Sequence, residues 1–130
     1  MSDLYQEIIL EEMKHPAHQG ELVDADVTEA GVNASCGDQV TVYVRQSGQA
    51  DERISDLTWT GQGCAISMAT MSLLARQIHQ LQLTARQVAD LTDTDLLELL
   101  GLTEISPGRV KCMQLGLRTT QRAIEKTAHS

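Results

Sequence analysis

Near residue 60 the apolar residues of this chain change their spacing, and that change restricts the fold more than any other feature. Val40, Val42 and Val44 alternate with Thr41, Tyr43 and Arg45, and Leu57 and Trp59 alternate with Thr58 and Thr60. A period of two turns one face of a strand toward a core. A turn around Ser47-Gly48-Gln49 joins the two runs as a hairpin, and residues 23–32 supply a third strand. Beyond Gly61-Gln62-Gly63 the spacing becomes helical. Residues 64–80 form one helix. Thr84 and Gln87 match a capping box ahead of Val88 and Leu91. A short helix at 93–100 ends at Gly101. Pro107 suits the first turn of a last helix, whose Val110, Met113, Leu117 and Ile124 share a face. A further helix over 3–14 opens the chain. Asp3 caps it with Gln6 three residues on, Leu4, Ile8 and Ile9 give it an apolar face, and His15-Pro16 ends it. Strands followed by helices predict an α+β domain: a small antiparallel sheet of about three strands packed against several α-helices.

The 130 residues read as a single domain over 1–130, with no repeat or linker. The chain has no Phe, so Trp59, Tyr5 and Tyr43 are its only aromatic residues. The core must rest on Leu, Ile, Val, Met and Ala, with Met68, Met71 and Met113 inside it. A net charge of −8 disfavours nucleic acid and anionic membrane surfaces as partners, because both need basic surface. The first residues lack a basic segment ahead of an apolar run, and no stretch is long and apolar enough to span a bilayer. The expected compartment is the cytoplasm.

Three cysteines in a reducing compartment are core groups, metal ligands or nucleophiles. Cys36 opens Cys36-Gly37-Asp38 between two strands. Cys64 starts a helix, and Cys112 lies early in the last one. Near a helix N-terminus the dipole favours a thiolate. Cys36, Cys64, Cys112 and Asp38 make a reasonable tetrahedral donor set. Their spacings match no short-range zinc signature, so chemistry alone leaves two readings equally open. In the other, Cys64 and Cys112 are small buried groups and Asp38 is a solvated turn residue. His15 and His18 suit capping or surface hydrogen bonds better than a metal, His79 suits a helix end, and His129 lies in the tail. Arg109, Lys111, Arg118, Arg122 and Lys126 give the last helix a basic bias, either as a docking surface or as a solvated face. Ser67 has no histidine base and is not read as a nucleophile. Gly61-Gln62-Gly63 lacks the rest of a phosphate-binding signature and reads as close backbone packing around the Cys64 thiolate.

The same residues carry a family resemblance. Ala34-Ser35-Cys36-Gly37-Asp38 resembles the first cysteine motif of the SufU/IscU family, the NifU N-terminal-like proteins. The run from Thr60 through Gly61-Gln62-Gly63-Cys64-Ala65-Ile66-Ser67-Met68-Ala69 is similar to the second. Pro107-Gly108-Arg109-Val110-Lys111-Cys112 is similar to the third. His15-Pro16-Ala17-His18-Gln19-Gly20 resembles the segment after the family's first helix. The resemblance implies iron–sulfur cluster assembly, with sulfur received from a cysteine desulfurase. It implies that Cys36, Asp38, Cys64 and Cys112 bind zinc or build a cluster. Lys111 stands where IscU scaffolds have histidine, as in SufU-type proteins, whereas the segment between Cys64 and Cys112 is nearer the shorter scaffold length. The SufU branch is favoured. It implies a zinc-binding sulfurtransferase with Cys36 as the mobile, sulfur-accepting ligand and Cys64 and Cys112 as anchored ones. The alternative is a scaffold that assembles a labile [2Fe–2S] cluster and passes it to downstream assembly or acceptor proteins. Arg109 and Lys111 are the expected partner contacts, and Lys111 is expected to pair with Asp38 when metal is absent.

Overall fold

The computed structural model describes residues 3–46 and 51–128. Helix α1 spans Asp3–Lys14, and three strands follow: β1 Val27–Asn33, β2 Asp38–Arg45 and β3 Asp56–Gln62. Helices α2 Ala65–Leu81, α3 Ala85–Ala89 and α4 Asp93–Leu100 come next. A 3-10 turn at Pro107–Arg109 leads into α5, Val110–Ala128. The sheet is antiparallel in the order β1-β2-β3. This is the α+β architecture that the change of period indicates. The expected Ser47-Gly48-Gln49 turn lies outside the described residues, as does His129.

One sheet face is buried as the alternation requires. Val40, Val42, Val44, Leu57 and Trp59 are all at most 2 % exposed. Helix α5 lies across β1 and β2, and α2 lies across β3 and against α5. Met113, Leu117 and Ile124 of α5 are buried, and Val110 is half-buried. The capping box forms at Thr84 and Gln87, and α4 ends at Gly101.

Helix α1 differs from the expected pattern. Leu4 is exposed and Ile8 only half-buried; the face turned inward carries Tyr5, Ile9 and Glu12. The reason is a polar anchor. The buried Glu12 carboxylate accepts hydrogen bonds from Ser72 Oγ at 2.7 Å and from Arg76 Nη2 at 3.2 Å, both on α2. Arg76 also donates to the His15 carbonyl, and Ser72 Oγ accepts from the Ala17 amide. A buried carboxylate must be paired, so these bonds set the rotation of α1, and its apolar residues follow.

The segment after α1 closes the β3 edge. Trp59 donates its amide to the His18 carbonyl and its indole N–H to the Ala17 carbonyl, and the Gly20 amide donates to the Trp59 carbonyl. Behind this strap His18 stacks on His79, with ring centroids 3.6 Å apart. Burial, and then the neighbouring His79, lower the His18 pKa. His79 lies in the last turn of α2, as expected, and its Nε2 also lies 2.9 Å from the Leu57 carbonyl.

Gly116 sets the distance between α5 and α2. A Cβ there would lie 2.7 Å from Met71 Sδ and 3.3 Å from the Met71 backbone. Gly116→Ala is therefore expected to destabilise the fold by about 1–3 kcal/mol, the usual range for overpacking a tight core. A lower midpoint in urea at unchanged slope would show it, and an unchanged midpoint would mean that α5 moves away at little cost.

Candidate metal centre

The three cysteines and Asp38 converge at one end of the sheet. Cys36 sits in the turn of the β1–β2 hairpin. Its amide and that of Gly37 both donate to the Asn33 carbonyl, and Gly37 has φ of 73°, which glycine adopts without strain. The turn leaves Cys36 exposed and delivers the chain into β2 at Asp38, opposite Asn33. Asp38 is the first residue of β2 and only 1 % exposed, so it is not a solvated turn residue.

Cys64 is the N-cap of α2 and is exposed. Its amide donates to Asp38 Oδ1 at 2.8 Å, and its Sγ lies 3.8 Å from Asp38 Oδ2. Cys112, in the first turn of α5, is only 3 % exposed. Its thiol donates to Cys36 Sγ at 3.6 Å and accepts from Asn33 Nδ2 at 3.5 Å. Ligand atoms of Cys36, Asp38 and Cys112 all lie within 4.8 Å of one another, and Cys64 is not part of that set.

This geometry fits a tetrahedral ion. Zn–S bonds of about 2.3 Å and Zn–O bonds of about 2.0–2.2 Å give S–S edges of about 3.8 Å and S–O edges of about 3.6 Å. The Cys36–Cys112 separation of 3.6 Å and the Cys64–Asp38 separation of 3.8 Å are of that size. Three thiols and one oxygen also suit iron bound to sulfide. The donor set fits either metal and does not choose between them.

Electrostatics divides the four groups. Burial opposes the charge on Asp38, but the Cys64 amide and the Ser67 hydroxyl more than offset it, and its pKa falls below the usual carboxylate value. Burial pushes the Cys112 thiol up to about 12, and the neighbouring Cys36, Cys64 and Asp38 push the same way. The dipole of α5 does not make Cys112 a thiolate, contrary to the sequence-based expectation. Burial wins because the thiol lies beneath the turn and faces a carboxylate.

Other expected roles are redistributed. Lys111 does not answer Asp38, whose charge is met by Cys64 and Ser67. It is exposed and lines a surface groove with Val32, Asn33, Gln114 and Arg118. Arg122 and Lys126 pair with Glu29 of β1, so they close the α5–β1 contact and are not a free basic face. Arg109 does lie beside the thiols. It edges a groove of about 580 Å³ lined by Tyr5, Ile9, Leu10, Cys36 and Cys64. Gly63 packs closely on Asp38, since a Cβ there would lie 2.4 Å from Asp38 Oδ1.

Sequence reasoning missed Asn33, which donates to Cys112, and Ser67, whose Oγ donates to Asp38 Oδ2 at 2.7 Å. Ser67 was legible in part. It follows Cys64 by three residues, and that spacing places two helical residues on one face. Nothing in the local sequence marks Asn33.

Residues 4–129 match the family described as NifU-like N terminal domain, and the chain belongs to that family. Its relatives include proteins named for iron–sulfur cluster assembly. The chain is 32 % identical to the iron–sulfur cluster assembly scaffold protein IscU of Thermotoga maritima, over 95 % of this chain and 94 % of that one. It is 24 % identical to the zinc-dependent sulfurtransferase SufU of Bacillus subtilis, over 97 % of this chain and 92 % of that one. Its fold is similar to the crystal structure of FiSufU from Fervidobacterium islandicum, described as an iron–sulfur cluster assembly scaffold protein for a SUF system. The TM-score there is 0.76 at 27 % identity, covering 93 % of this chain and 96 % of that one. No helix among the described residues is long and apolar enough to cross a membrane.

A neutral Cys112 must lose its proton to become a ligand. Zinc added to metal-free protein in weak buffer is therefore expected to acidify the solution. Cys112→Ser should release about one proton fewer per chain, by the same linkage. Equal release from both proteins, followed by pH-stat titration, would contradict a protonated Cys112.

Proposed function

We propose that this chain is an iron–sulfur cluster assembly protein that accepts sulfur on Cys36 from a cysteine desulfurase. One observation carries the reading. Cys36 is an exposed thiol on a turn, 3.6 Å from a buried thiol, at the edge of a groove that a partner can enter. The Cys36 thiolate would attack the outer sulfur of the donor's persulfide. The donor's S–S bond breaks, its cysteine leaves as a thiolate, and a new S–S bond forms at Cys36. No external oxidant is consumed. The turn can yield without unwinding a helix, whereas Cys64 and Cys112 are fixed by α2 and α5. Arg109 at the groove edge is the proposed contact for the desulfurase. Lys111 lines a separate groove and would serve a partner there.

Cys36, Asp38, Cys64 and Cys112 are the proposed ligands. A zinc ion bound there would keep the thiols ionised. While sulfur is accepted, Asp38 would stay as the hard, exchangeable ligand and Cys112 as the buried one. This is the reading favoured by the likeness to SufU of Bacillus subtilis.

The likeness to the Thermotoga maritima scaffold favours a second reading, in which the same residues hold a nascent [2Fe–2S] cluster for transfer to downstream acceptor proteins. Asp38 as one non-thiolate ligand suits release, because clusters are ordinarily held by cysteine alone.

Metal content after purification without air or added metal separates the readings. About one zinc per chain, lost on replacing Asp38 or Cys112, is expected for sulfur transfer. Iron with labile sulfide would establish the scaffold instead. Cys36→Ala should abolish persulfide transfer from a desulfurase, followed by alkylation and mass spectrometry. Undiminished transfer in that variant would remove Cys36 from the role.

A further inference from the structure

Among the buried hydroxyls of α2 and α5, those of Ser67 and Ser72 reach outside their own helix. Thr70, Thr119 and Thr120 each donate to the carbonyl one helical turn back. That bond is the cheapest way to satisfy a hydroxyl inside a helix. Ser72 reaches α1 instead, where it fastens Glu12. Ser67, only 2 % exposed, reaches β2 and donates to Asp38 Oδ2 at 2.7 Å.

The geometry at Asp38 is then overdetermined. Oδ1 accepts from the Cys64 amide, and Oδ2 accepts from Ser67. Gly63 packs against the carboxylate, where a side chain would collide with it. Each carboxylate oxygen has two lone-pair directions, so the carboxylate keeps acceptor capacity after the Cys64 amide and Ser67 are served. Oδ2 is also the oxygen 3.8 Å from Cys64 Sγ. Ser67 Oγ lies 3.4 Å from the same sulfur. Its hydrogen is spent on Asp38, so it faces a Cys64 thiol as an acceptor.

We propose that Ser67 is the positioning residue of this centre: its hydroxyl fixes the Asp38 carboxylate so that it is offered in one orientation as a ligand beside the thiols. The inference rests on the reading of Asp38 as a ligand and adds a residue that acts only through it. Without the hydroxyl, the carboxylate keeps the Cys64 amide at Oδ1, and Oδ2 keeps only the long 3.8 Å contact from Cys64 Sγ. A metal would then meet a ligand of less defined orientation. Partners that orient a ligand typically matter about 10–100-fold in metal affinity.

A double-mutant cycle on the full chain tests this. Zn²⁺ affinity is measured by competition with a chromophoric chelator, and ligand geometry by the visible spectrum of Co²⁺-loaded protein. The four proteins are the native chain, Ser67→Ala, Asp38→Ala and the double variant. Ser67→Ala is expected to weaken Zn²⁺ binding at least about tenfold and to shift the Co²⁺ bands. On the Asp38→Ala background it should change neither, because the group it positions is gone. Equal losses on both backgrounds would make Ser67 a packing residue and overturn the proposal, as would no loss on either. A native chain that binds neither ion would instead overturn the metal-centre reading, and that is seen before any variant is compared.

Discussion

The bond between the Asp38 carboxylate and the Cys64 amide holds the site to the fold. It spans 2.8 Å and joins the first residue of β2 to the cap of α2. An N-cap side chain normally serves the amides of its own helix, but the Cys64 side chain makes no such bond. The carboxylate of Asp38 instead accepts from the amide of the N-cap residue itself, and its charge suits the positive end of the helix. Asp38 is thereby buried and charged at once, a state that costs stability unless donors surround it. The hairpin turn, the glycine before Cys64 and the Ser67 hydroxyl each serve to keep that carboxylate in place.

Around this anchor the thiols are arranged with unequal freedom. Cys112 is sealed beneath the hairpin turn, held neutral by burial and by its neighbours, and it donates to Cys36. Cys36 sits above it on the turn. A cation bound there would replace the proton on Cys112.

The fold was legible because its signals are local. Val40, Val42 and Val44 declare a strand by alternation, and Thr84 and Gln87 declare a helix start by their own side chains. The path of α1 was not legible. Its rotation is set by Glu12 meeting Ser72 and Arg76, residues far along the chain, and a pattern of apolar residues carries no record of that pairing. The site divides in the same way. Cys36-Gly37-Asp38 reads as two donors on one turn, but the burial of Asp38 depends on Cys64 and Gly63 arriving from the other side. Lys111 beside Cys112 looked like a partner for Asp38. The helix turns it outward, because consecutive residues on a helix point to different faces.

The groove adds a constraint on how a partner can approach. Its walls are α1 on one side and the thiol-bearing turn on the other. Helix α1 is fastened at its C-terminal end by Glu12 and rests on Tyr5 near its start. Leu10, largely exposed, stands at the rim. A partner that reaches Cys36 along this path meets apolar side chains before it meets the thiol, with Arg109 as the charge beside them. Contact there would exclude water from the reacting sulfur, and an anionic persulfide would be drawn toward the guanidinium. Lys111 and Arg118 are exposed along a separate groove with Val32 and Asn33, which shares no lining residue with the first.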